Sequence, residues 1–304
     1  MIRAPLGDSR YWDSACDFWE YSIQHCSEQL IKPPGDPSFE PQYLFELVKD
    51  NYHCLLARYS RGDPISELSG YFPPLLDAWE QSEALGQSVW TEQQQYTRHA
   101  WAVNLDHYIV CFWLVGLALA LNIPDDQWKR LIDLVGNDGE DELLDRVIAS
   151  RSPERKIGTK LCHPKPYLRL LKAVNALPEQ QAQLLQDFVQ HWYQDLNRPP
   201  KPGLSEMTAM YDRPYWYTYG DRNFEGGAYF GRWCVEAVAA VKAFGMDDSL
   251  CLGHEHYPGD LLRPHGPSTH QMRRESTLSS STEHVDSVGS TQRKGLLAWL
   301  FGKK

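Results

Sequence analysis

Several groups of residues in this 304-residue chain are of types that do chemistry. Asp138-Gly-Glu-Asp-Glu142, followed by Asp145, sets five carboxylates within eight positions. Such a run suits a hard cation, but it lacks the one-three-five ligand order of an EF-hand loop. It reads instead as the first turn of a helix, where carboxylates suit the macrodipole. Asp145 with Glu154 and Lys156 has the make-up of a Mg²⁺-dependent hydrolytic set. That set normally sits on paired strands, which this sequence does not promise, so a solvated charge cluster is the reading. Cys251, His254 and His256 supply three zinc-ligand types. A fourth ligand is not indicated and the spacing fits no standard pattern, so a polar loop with surface histidines is expected. Neither a metal nor a cofactor follows from these residues.

Glu236 stands in the apolar stretch Trp233 to Val241. A carboxylate there must find a partner or stay half exposed. An ion pair with Arg58, Arg61, Arg222 or Arg232 is the expectation. The chain has no G-x-G-x-x-G, Walker A loop, G-x-S-x-G or H-E-x-x-H. The aromatic segment 211–229, with Asp212, Asp221, Glu225 and several Tyr, is read as an ordered cap over the core. The alternative is a small-molecule cleft of an unrecognised helical enzyme.

The elements that must position these residues are helical. Trp12, Cys16, Trp19, Ile23, Cys26 and Leu30 step by four and three, one face of a helix over 10–30 that Asp8 or Ser9 caps. A second helix covers 42–59. Asp63 is expected to cap the next one, with Pro64 at its first position. Pro73-Pro74 should kink or split that helix. A fourth helix is expected over 92–121, apolar on nearly all sides in its second half and therefore central. Short helices follow at 124–135 and 140–149, then a basic connector from Ser150 to Pro166. Further helices are expected at 166–176, 178–196 and 226–244. No alternating period-2 run is present.

The chain has 36 Leu against 23 Ile plus Val, a helical bias. The fold class is therefore all-α: a bundle-like body in two packed halves, 1–150 and 151–264, with a disordered C-terminal tail over 265–304. The tail ends in an apolar patch, Gly295 to Gly302. Seven Cys without a C-x-x-C indicate reduced, cytoplasmic usage. The start lacks a hydrophobic segment, so no secretory signal is expected. The longest apolar run, Tyr108 to Leu121, is 14 residues, short of a membrane span of about 20. The formal net charge of −10 excludes a general nucleic-acid binder. It divides into −13 on the body and +3 on the tail.

Two segments resemble a known family. One is Leu56-Ala-Arg-Tyr-Ser-Arg-Gly-Asp-Pro-Ile65 with Tyr71-Phe-Pro-Pro-Leu-Leu-Asp-Ala-Trp79. The other is Tyr229-Phe-Gly-Arg-Trp-Cys-Val-Glu236 with Phe244-Gly-Met-Asp-Asp-Ser249 and His256-Tyr-Pro-Gly-Asp-Leu261. With the aromatic start at Tyr11-Trp12, they are similar to the two halves of the PoNi-like immunity family, over residues 8–264. The resemblance implies an all-helical, non-catalytic protein of the cytoplasm. It would bind a cognate toxin, a nuclease effector of type VI secretion, and occlude or distort its active site. It carries over Trp233 and Tyr229 as core, Gly62 and Gly245 as turns after helices, and Asp63 and Asp247 as caps.

A nuclease cleft attracts phosphate, so an acidic surface can occupy it and steer association. Asp138, Glu140, Asp141, Glu142 and Asp145 are the first candidates for toxin contact, Asp125 and Asp126 the second. No direct nucleic-acid or membrane partner is expected. The aromatic stripe of the first helix would suit a homodimer or the core equally. An enzyme and a scaffold without a toxin stay open as alternatives.

Overall fold

The computed structural model describes residues 1–30, 37–197, 214–221 and 228–272. The described residues hold helices and turns, and no strand. α1 (Ser9–Leu30) and α2 (Glu40–Arg61) pack side by side, and α4 (Phe72–Val89) packs on the other flank of α2. The short α3 (Ile65–Leu68) leads into α4, whose first turn takes both Pro73 and Pro74. At the start of a helix these N–H groups have no intrahelical partner, so the prolines cost nothing there. The stripe read on α1 is spent inside the chain: Trp12, Cys16, Trp19 and Cys26 are buried.

The expected helix over 92–121 is two helices, α5 (Glu92–His99) and α6 (Leu105–Ala120). Asn104 makes the break. Its side-chain oxygen accepts the His107 N–H at 3.0 Å, and its amide donates to the Arg98 carbonyl at 2.9 Å. Asn competes well for backbone groups at helix starts. α6 is buried along almost its whole length, as its all-round apolarity requires. Each buried Leu or Phe contributes about 1.5–3 kcal/mol, so packing rather than helix propensity holds α6.

α7 (Asp125–Val135) and α8 (Glu142–Ala149) follow, then α9 (Pro164–Asn175) packed on α10 (Pro178–Asp195). The last helix, α11 (Val235–Phe244), lies along α6. It is shorter than the expected 226–244 because residues 228–234 are not helical. Gly231 sits at φ +102°, which no helix accommodates. The flanking backbone is also held from outside. Ser60 donates to the Phe230 carbonyl at 2.9 Å and receives the Trp233 indole N–H at 2.8 Å, while Cys234 N–H donates to His256 O at 2.8 Å.

Gly62 and Gly245 end α2 and α11 in the left-handed conformation, and Trp233 and Tyr229 are core. Asp8 caps α1 by accepting the Tyr11 N–H at 2.8 Å. Asp247 accepts the Ser249 N–H at 2.9 Å at the turn before Cys251. Asp63 is not a cap. Pro64 occupies that position, and the Asp63 carboxylate takes charge-assisted bonds from Arg58 and Arg61 at 2.6 Å each, which hold it below the usual carboxylate range.

One connected core runs from Ala4 to Leu261. Residues 265–272 continue onto the body rather than leaving it. Asp260 accepts from Ser268, from Thr269 and from Arg3, and the Tyr59 hydroxyl meets His270 Nε2 at 2.7 Å. The tail expected to be disordered otherwise lies outside the described residues, from 273 to 304, and so does its apolar terminus.

Candidate functional site

Five of the seven candidate carboxylates are brought to one end of α8, and two of those five are interior. Asp141 caps α8: its Oδ1 accepts the Leu143 and Leu144 N–H groups at 2.9 and 2.7 Å and the Tyr108 hydroxyl at 3.1 Å. Its Oδ2 accepts the Cys162 N–H at 2.7 Å. One turn on, Asp145 Oδ1 accepts from Arg155 Nε at 2.7 Å. Asp145 Oδ2 takes the Asp141 and Gly158 N–H groups at 2.9 and 3.1 Å. Arg155 also donates to the Gly136 carbonyl at 2.6 Å and lies over the Trp101 ring. Burial pushes the Asp145 carboxyl up, against the two N–H groups and the guanidinium that favour its charged form.

Asp141 and Asp145 therefore lie beneath the surface rather than on it. Fully buried and saturated with donors, they fix the shape of the surface above them. Glu142 is half-buried, while Asp138 and Glu140 are exposed. Asp138 accepts the Lys156 N–H at 2.8 Å and lies 3.4 Å from Arg155. The helix starts only at Glu142, so Asp138 to Asp141 form the approach to it rather than its first turn.

Asp125 and Asp126 are exposed in the first turn of α7. Asp125, 97 % exposed, takes a bond from Arg151 at 2.6 Å. Arg151 also reaches the Ile123 carbonyl at 2.7 Å and lies over the Trp128 ring. The basic connector expected from Ser150 to Pro166, which ends at α9 from Pro164, thus touches both acidic groups.

The other candidates do not assemble. Asp145, Glu154 and Lys156 form no common site, because Asp145 faces inward to Arg155 while Glu154 and Lys156 face out. His256 Nδ1 faces the Arg232 carbonyl at 3.1 Å, and the ring packs on Trp192 and Tyr193. No group of three or more His, Cys, Asp or Glu is arranged for a metal ion among the described residues.

Among the described residues Glu236 has no arginine partner. Arg58 pairs with Asp63 and Arg232 with Asp221; Arg222 lies outside the described residues. Tyr167 donates its hydroxyl to Glu236 at 2.9 Å. The Trp113 and Trp192 indole N–H groups face the carboxyl without reaching good hydrogen-bond geometry. Burial raises its pKa to about 7. The carboxyl is buried on every side, without access for a substrate.

Of the aromatic segment, 214–221 and 228–229 are described, which leaves Asp212 and Glu225 outside. Trp216 stacks between Trp113 and Trp192 at 5.0 and 6.1 Å. Tyr215 bonds through its hydroxyl to Tyr52 and to His53 Nε2. This turn is packed down on α2, α6 and α10. A surface groove between α3, the end of α6 and Leu262 has no carboxylate in its lining.

The pairing of Arg155 with Asp145 and the stacking of Trp216 were not visible in the sequence. The signal available was the length of the segment before α9, with Gly158 inside it.

Residues 3–133 match the family model described as PoNe immunity protein (PoNi), N-terminal, and residues 139–261 match its C-terminal counterpart. The fold is similar to the crystal structure of protein PA2201 from Pseudomonas aeruginosa. The TM-score is 0.63 over 86 % of this chain and 90 % of that one, at 18 % identity, a likeness of fold. No curated protein matches the sequence. No helix among the described residues is long and apolar enough to cross a membrane.

Proposed function

The chain belongs to the PoNe immunity protein (PoNi) family, and from that membership we propose that it binds and neutralises a cognate nuclease toxin. The toxin would be an effector that a type VI secretion system delivers between bacteria. Neutralisation takes place in the cytoplasm of the cell that makes both proteins, by occlusion or distortion of the toxin's active site, without catalysis by this chain.

The observation that carries the reading is the pair of family matches spanning the folded body, joined to that body's charge of −13. A nuclease must hold a polyanion, so its cleft is basic, and a strongly acidic protein competes for it. Asp138, Glu140 and Glu142 are the first proposed contacts, and Asp125 and Asp126 the second. Asp141 and Asp145 hold that surface in shape from beneath.

The test is co-expression with the toxin of this pair, sought as the product of a neighbouring gene. Growth rescued by the wild-type chain supports the reading; continued killing, with both proteins present and folded, removes it.

A further inference from the structure

Between Ala149, the last residue of α8, and Pro164, the first of α9, lie 14 residues without a helix or strand of their own. Irregular segments of this length are uncommon inside a compact body, and many of them bind something.

This one is held from below at five points. Ser152 Oγ accepts the Trp128 indole N–H at 2.9 Å, and Arg155 is locked to Asp145. Gly158 N–H donates to Asp145, Lys160 O accepts the Glu142 N–H at 2.9 Å, and Cys162 N–H donates to Asp141. A Cβ on Gly158 would lie 2.5 Å from Asp141 N, so the loop backbone is pressed onto the approach to α8.

A buried ion pair contributes little net stability compared with apolar residues of the same volume; here, with the four bonds beside it, it ties the loop to α8 and α7. The residue presented above this anchorage is apolar. Ile157 is 42 % exposed, between Lys156 and the buried Gly158, with Thr159 and Lys160 beyond. Asp138, Glu140 and Glu154 are exposed around the same loop.

We infer that the loop 153–161 is a preformed docking loop for the toxin, with Ile157 as its anchor. The proposal rests on the immunity reading and specifies its surface. The occupant is the toxin, with an apolar socket whose basic border faces Asp138, Glu140 and Glu154 and whose acidic border faces Lys156 and Lys160. An apolar centre inside a charged rim is the arrangement that concentrates binding energy in few residues. A loop already held in one conformation loses little entropy on binding. The carboxylates of the rim then serve encounter, and Ile157 serves residence.

The experiment measures the affinity of the full chain for its co-encoded toxin, with thermal unfolding of every variant alongside. Ile157→Asp and Ile157→Ser should each weaken binding by about 30-fold or more. As surface changes they should leave Tm within about 2 °C. Ile157→Val should bind as the wild type does. Tyr21→Asp, at a 54 % exposed position on α1, should also leave affinity unchanged. Wild-type affinity in both Ile157→Asp and Ile157→Ser overturns the docking loop while the immunity reading stands. An equal loss in Tyr21→Asp overturns it too. A wild-type chain that does not bind the toxin overturns the immunity reading itself.

Discussion

Arg155 donates to Asp145 at 2.7 Å with both side chains buried, although ten positions separate them and Arg155 belongs to a segment that reads as a solvated basic connector. The pair ties the segment before α9 to α8, and it explains why a run of acidic residues splits into two roles. Asp141 and Asp145 point inward and are consumed by donors, whereas Asp138 and Glu140 are left on the surface. Charge reversal across the whole run would therefore mix a binding effect with an unfolding effect.

Removing one partner should show the size of the tie. Arg155→Leu leaves the Asp145 carboxylate buried and facing only N–H donors, and a broken buried pair costs about 3–5 kcal/mol. Urea denaturation should show a midpoint lowered accordingly. Asp145→Leu/Arg155→Leu together should recover part of the loss, because no buried charge is then unpaired. A single variant within 1 kcal/mol of wild type, on the order of a surface substitution, would contradict this account.

Gly158→Ala probes the close approach of the same loop. The added Cβ meets Asp141 N at 2.5 Å and Glu140 C at 2.7 Å, both backbone atoms that cannot swing away. Overpacking of this kind costs about 1–3 kcal/mol. Amide exchange should report it locally: the Cys162 and Gly158 amides, which donate to Asp141 and Asp145, should lose protection before the amides of α6 do.

The legible part of the fold was the part set by periodicity. The stripe Trp12, Cys16, Trp19, Ile23, Cys26 and Leu30 marked α1, four of the six being buried, and the apolar run Tyr108 to Leu121 marked the central helix. The breaks set by long-range partners were not legible. Asn104 ends one helix and caps another through its side chain, and periodicity does not register a capping amide. The irregular run 228–234 is held by Ser60, about 170 positions away. Glu236 was expected to hold an arginine and holds Tyr167 instead, because sequence shows a buried carboxylate's need for a donor but not which donor. The candidate surface was legible as an acidic run. Its division into interior and exterior was not, because Arg155 and Gly158 reach it from a segment with no regular structure.

Glu236 supplies a pH signature. Burial raises its pKa from an ordinary 4.5 to about 7. Between those values the folded chain holds a proton that the unfolded chain has released, so this group's contribution to stability falls as pH rises through that window. Glu236→Gln keeps the shape and removes the titration. The variant should match wild type near pH 4.5 and gain on it by up to about 1.4 kcal/mol per pH unit toward pH 7, with a constant advantage above. Parallel stability curves for the two proteins would show that Glu236 does not titrate as its burial requires.

Glu140, exposed, and Glu142, half-buried, should act on association more than on dissociation. Glu140 and Glu142 border the loop anchored by Asp145, and neither is needed for the bonds that hold it, since the Glu142 contact to Lys160 is made by backbone. Glu140→Lys/Glu142→Lys should therefore lower stability only through the first-turn charge of Glu142, by about 1 kcal/mol, and slow association with the co-encoded toxin by about tenfold at low salt, the range over which charge steers encounter. The wild-type rate should fall as ionic strength rises from 0.01 to 0.15 M, where the screening length shrinks from about 30 to about 8 Å, and the variant's rate should fall less. Stopped-flow mixing at several salt concentrations separates the two slopes. Identical slopes would mean that these carboxylates do not face the toxin's basic cleft, and Asp125 and Asp126, in the first turn of α7, would be the next pair to reverse.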